Sequence, residues 1–185
     1  MLDAVDASTL AVVFAVLVGA TALVGYRRLQ TRAQRALAAD LESRLAAEIR
    51  TGIASHLERP PRVRTIRRVD EARNEEPAVV PVVRVDLETA DTPGTELACE
   101  YVADVLRAVH PACRERAISV QRYELEFGVG PGGLLVGGEC RRIDVPPALA
   151  DRVVDEGEYR AFDLHRDLKR RSLDEDSTAV LWVPC

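Results

Sequence analysis

No charged residue lies between Ala7 and Tyr26, and this constrains the chain more than any other feature of its sequence. As a helix, twenty such residues would span roughly 30 Å, the thickness of a bilayer's hydrocarbon core. Leu10, Val13, Phe14 and Leu17 supply apolar surface, and a soluble helix rarely goes so long without a polar face. The run reads as a transmembrane helix over 8–26, preceded by a short extracytoplasmic N-terminus, 1–7. Arg27 and Arg28 follow it, no Lys or Arg precedes it, and Tyr26 would lie at the interface. The positive-inside rule then places the N-terminus outside and the rest in the cytoplasm of a single-pass cell-membrane protein. The rival, a cleaved signal peptide on a secreted protein, fits Ala20-Thr21-Ala22 but lacks a basic n-region.

Charge divides what remains. Residues 26–73 carry twelve Arg against six acids, whereas residues 74–185 carry thirteen basic and twenty-two acidic side chains, within a total of −5. Such a shift marks a change of structural regime. Residues 27–58 read as an amphipathic helical stalk, with apolar residues at every fourth position from Leu29 to Leu57, stopped by Pro60-Pro61. A strict step of four winds around a helix, so the stripe specifies at most a weak homo-oligomer or a partial coiled coil. Residues 59–77 read as an Arg-rich linker, suited to anionic membrane lipids. It has no interleaved aromatics, which argues against nucleic acid. The predominance of Arg over a single Lys suggests an archaeal or GC-rich bacterial source.

Residues 78–185 read as an acidic α+β head. Strands are expected over 82–88, 117–127 (bulged near Gln121), 134–145 and 178–183. Helices are expected over 91–110, ended by Pro111, and over 146–171, broken at Gly157. The order β-α-β-β-α-β resembles the ferredoxin-like split βαβ fold, which implies a four-stranded antiparallel sheet with both helices on one face. That resemblance rests on element order alone and implies no activity.

Three groups of residues invite chemistry. Arg122, Glu124 and Glu126 alternate along one strand, and Arg141 and Arg142 lie on the next, a charged face open to a protein partner. His110 and Cys113, with Gly130 and Gly132 of the glycine-rich hairpin loop, form a candidate ligand corner. The loop precedes a strand instead of a helix and lacks the Lys-Ser/Thr pair of a phosphate loop. Cys99, Cys113, Cys140 and Cys185 have irregular spacing and no second close pair, so they read as free buried thiols and not as a metal site. No cofactor and no catalytic triad is indicated. The expected function is an interaction or regulatory module held at the membrane, the alternative a membrane-tethered enzyme or small-ligand sensor.

Overall fold

The computed structural model describes residues 31–52, 56–57, 59–69, 77–88, 94–129, 139–174 and 183–185. The chain divides into units 1–37 and 38–185. In the first, residues 31–37 are helical. The second contains helix α1 (38–48), strands β1 (Arg62–Val69) and β2 (Ala78–Leu87), and helix α2 (Thr95–Glu115). Strands β3 (Tyr123–Val129) and β4 (Glu139–Val145), helices α3 (Pro147–Asp155) and α4 (Ala161–Asp174), and strand β5 (Val183–Pro184) follow.

The strands form one mixed sheet in chain order, β1-β2-β3-β4-β5. The β2–β3 pair is parallel, and the other three pairs are antiparallel. This corrects the expected ferredoxin-like, four-stranded antiparallel sheet. In a split βαβ unit a third strand lies between the two that the helix connects. Here β2 and β3 pair directly, Val82 opposite Glu124 through Leu87 opposite Val129, so α2 closes an unsplit βαβ crossover.

The additional strand is β1, whose residues the sequence assigned to the Arg-rich linker. A register shift between Val63 and Thr65 puts its buried residues, Val63 and Ile66, three positions apart, which erases the alternation that marks a strand. Pro81, just ahead of the strand expected over 82–88, is the fourth residue of β2. Between the isolated Val79–Val120 bridge and the Val82–Glu124 pair, β2 advances three residues while its partner advances four. The expected irregularity near Gln121 thus lies beside the strand residue that has no N–H to donate.

The core lies between one face of the sheet and the helices. Tyr123, Leu125 and Phe127 of β3 meet it beside Val83 and Val85 of β2 and Ile143 and Val145 of β4, all buried. Helix α2 supplies Ala98, Val102, Val105, Leu106 and Val109. It does not stop at Pro111: Ala112 and Cys113 are buried, and their packing carries the helix to Glu115. It ends in a Schellman arrangement, with the N–H of Ile118 donating to the Cys113 carbonyl and that of Ala117 to the Arg114 carbonyl. Leu41 and Leu45 of α1 are fully buried within the chain, where the stalk reading had them free to meet a second copy. The helix stops at residue 48, well short of the two prolines, and Gly52 then takes a φ of +114°. The expected break at Gly157 is present between α3 and α4. There Tyr159 donates to Asp167 at 3.0 Å, and Arg152 stacks 4.3 Å over the Tyr159 ring.

The membrane reading is corrected as well. Among the described residues no helix is long and apolar enough to cross a membrane. Leu10, Val13, Phe14, Leu17, Tyr26, Arg27 and Arg28 lie outside the described residues. The single-pass anchor, the cell-membrane location and the cytoplasmic placement of the head that followed from it are therefore not retained. Two of the four cysteines also differ from expectation. Cys99 and Cys113 are free and buried, but Cys140 and Cys185 form a disulfide with Cα atoms 5.5 Å apart. A separation of 45 residues gives no sign of that pairing, which arises because β5 returns to lie beside β4.

Candidate functional site: an arginine face on the sheet

The sheet face opposite the core carries charge from four strands. Cross-strand register places Arg84 and Asp86 of β2 beside Glu126 and Gly128 of β3, and Arg142 and Asp144 of β4 beside Glu126 and Glu124. Arg62 and Arg67 of β1 stand opposite Arg84 and Val80, and Arg64 reaches the same face at the register shift. Arg122 joins them from the residue before β3.

Two buried carboxylates organise this face. Glu124 is 3% exposed and receives Arg67, Arg122 at 2.7 Å and Arg142 at 3.9 Å. Glu126 receives Arg64 at 2.5 Å and Arg84 at 4.0 Å. A carboxylate loses hydration when buried, and these guanidinium groups replace it. The guanidiniums form the outer layer: Arg62, Arg64 and Arg67 are 65%, 60% and 47% exposed. Asp144 sits beside Arg142 at 3.0 Å and Arg122 at 3.7 Å, yet burial holds its carboxyl above the usual range. Among the described residues, six arginines (62, 64, 67, 84, 122 and 142) thus share the face with four acids (Asp86, Glu124, Glu126 and Asp144). The surplus of two positive charges is set on a chain whose total is −5.

The structure therefore brings Arg122, Glu124, Glu126 and Arg142 together. Arg141 is separated from them: it stands opposite Phe127, on the other side of the sheet, and pairs with Glu139 at 2.7 Å. The sequence reading missed Arg62, Arg64, Arg67 and Arg84. A run with arginines at 62, 64, 67 and 68 next to the alternating 82–88 strand was the signal that a second charged strand was present.

The ligand corner is partly assembled, but inside the core. His110 exchanges a 2.7 Å hydrogen bond through Nδ1 with the Tyr123 hydroxyl and a 2.8 Å bond through Nε2 with Asp151. Burial pushes the Tyr123 phenol up, with Cys113 beside it adding to the shift. The Cys113 thiol is itself raised by burial, the reverse of an activated nucleophile. This arrangement satisfies buried polar atoms where α2, α3 and β3 meet. Gly130 and Gly132 lie outside the described residues.

One further group stands at the β4–β5 end of the charged face. Glu126, Cys140 and Cys185 each place a ligand-capable atom within 4.8 Å of the others, and Arg84 donates from Nη1 to Cys140 Sγ at 2.7 Å. The disulfide commits both sulfurs to each other and the guanidinium brings positive charge to them, so the group does not fit a cation. No family model, curated protein or solved structure matches the chain.

Proposed function

We propose that the chain is an interaction module whose arginine face docks an extended acidic segment of a partner protein. The observation that carries this reading is the surplus of guanidinium groups held in place over Glu124 and Glu126. Their side chains are ordered before a partner arrives, so less rotamer entropy is lost on binding. Arg62, Arg64 and Arg67 leave donors facing solvent, and Arg forks match carboxylates in bidentate geometry.

A protein partner is favoured over a nucleic acid for two reasons. The floor of the face is Val80 and Val82, and among its described residues there is no aromatic ring on which a base would stack. Its own carboxylates interrupt the positive charge, which suits spaced Asp and Glu side chains better than a continuous row of phosphates.

The test is fluorescence anisotropy of a labelled twelve-residue Asp/Glu-rich peptide titrated with the full chain. Binding is expected at low salt and should weaken as salt rises. Replacing Arg62 and Arg122 by Gln should lower affinity about tenfold, on the order of 0.5–1 kcal/mol for each partly exposed cation, with the melting temperature as a check on folding. No binding at low salt overturns the proposal. Tighter binding of a single-stranded oligonucleotide than of the peptide would transfer the face to nucleic acid.

A further inference from the structure

The Cys140–Cys185 disulfide differs in surroundings from the other two thiols and at its own two ends. Cys99 and Cys113 are buried, and burial, with Glu96 secondary, pushes the Cys99 thiol up to about 12. Cys185 is exposed, whereas Cys140 is half-buried on β4 beneath Arg84. Arg84 is itself held: its Nε donates to Asp86 Oδ1 at 2.7 Å, and its guanidinium crosses Gly128, where a Cβ would overlap it. Glu126, the negative group near both sulfurs, is paired with Arg64 at 2.5 Å. One sulfur thus faces solvent, and the other faces a positioned cation.

We propose that Cys140–Cys185 is a thiol–disulfide exchange site, opened by a dithiol reductant that attacks Cys185 and expels Cys140 as the leaving thiolate. The reductant's thiolate forms a bond to Cys185 Sγ as the Cys140–Cys185 bond breaks, and the electron pair of that bond passes to Cys140 Sγ. The second thiol of the reductant, deprotonated, then attacks its own sulfur in the mixed disulfide and releases Cys185 as thiolate. The dithiol is oxidised by two electrons to its disulfide, the protein is reduced by two, and the two protons given up by the dithiol pass to solvent or to the two new thiolates. Arg84 acts in the first step, by stabilising the charge that develops on Cys140; a better-stabilised leaving thiolate departs faster. It is a positioning residue, since it touches the leaving atom without changing bonds.

The site shares Arg84 and Glu126 with the charged face, but it does not rest on the peptide-docking reading and is tested apart from it. The oxidised full chain is treated briefly with glutathione, a monothiol that stops at the mixed disulfide, then alkylated with iodoacetamide and mapped by mass spectrometry. Glutathione is expected on Cys185 and the alkyl group on Cys140, with Cys99 and Cys113 unmodified in the folded chain. With dithiothreitol, Arg84→Met should slow reduction about tenfold, and Arg84→Lys should recover part of the rate. Glutathione found on Cys140 would overturn the assignment, as would an Arg84→Met chain that melts normally and is reduced at the wild-type rate. If Arg84→Met does not fold, the wild-type mapping alone decides. Four alkylatable thiols in the denatured, unreduced chain would remove the site altogether.

Discussion

Arg84 reaches the sulfur of Cys140 only because Gly128 has no side chain. The guanidinium lies across the glycine's Cα, and a Cβ there would overlap both Arg84 and the Asp86 carboxylate. Both are flexible side-chain ends, so they can move aside. Gly128→Ala is therefore expected to cost only about 1 kcal/mol of stability while displacing Arg84 from Cys140. Reduction by dithiothreitol should slow to about the rate of Arg84→Met. An unchanged time course would show that the guanidinium reaches the sulfur by another route.

Stability and partner affinity should move in opposite directions at Glu124. This carboxylate holds Arg67, Arg122 and Arg142, all partly exposed and therefore partly solvated without it. Glu124→Gln should lower unfolding free energy by about 1–3 kcal/mol, less than for a fully buried triad. The same change raises the face's positive surplus from two to three. Urea titration should show the loss, and peptide anisotropy should show tighter binding. Weaker peptide binding by a folded Glu124→Gln chain would mean that the ordering of the arginines outweighs their number.

Alkaline solution should destabilise the chain through the buried Cys99, Cys113 and Tyr123, each raised by burial. The folded-state thiol of Cys99 ionises near 12 instead of 9.0, and the Tyr123 phenol is raised above its ordinary 10. Groups with raised folded values keep their protons longer in the native state. Their contribution is complete below about pH 9 and is lost as pH climbs toward the folded values. Urea midpoints should fall between pH 8 and pH 10.5, and Cys99→Ala should flatten that fall. A midpoint independent of pH over this range would contradict the burial of these groups.

The turn after α2 offers a stabilising substitution. Ala117 holds φ at +50°, the left-handed conformation that the Schellman arrangement requires. An L side chain is strained there, and glycine is not, although glycine loses more entropy on folding. Ala117→Gly should raise stability by about 0.5–1 kcal/mol, read as a higher melting temperature. A lower one would place the larger cost in the unfolded chain.

The sequence was legible where local pattern and tertiary packing agreed. Tyr123, Leu125 and Phe127 alternate with Arg122, Glu124 and Glu126, so one strand showed both the core and three of the ten charged residues of the face. Gly157 marked the elbow between α3 and α4. Legibility failed where a local rule was overridden. Pro111 normally ends a helix, but the buried residues after it carry α2 onward. The bulged spacing of Val63 and Ile66 hid β1, and with β1 went half of the arginines. Strand order was not legible, because the residues of β2 and β3 would look the same paired directly or separated by a third strand. Nor was the disulfide, which depends on where β5 ends and not on any spacing of cysteines.

The sheet's order repeats the chain's order, and this bears on how the protein comes to be assembled. No strand must be inserted between two already paired, so the sheet can grow outward from the β2–α2–β3 unit by adding neighbours. Such growth closes loops of modest length, which favours fast folding over a search among distant partners. The pairing of β4 with β5 encloses α3 and α4, which lie between the two strands in the chain. The Cys140–Cys185 bond therefore closes a loop that contains both helices. A protein caught during synthesis would show both thiols free until residues 183–185 had emerged and β5 had paired with β4.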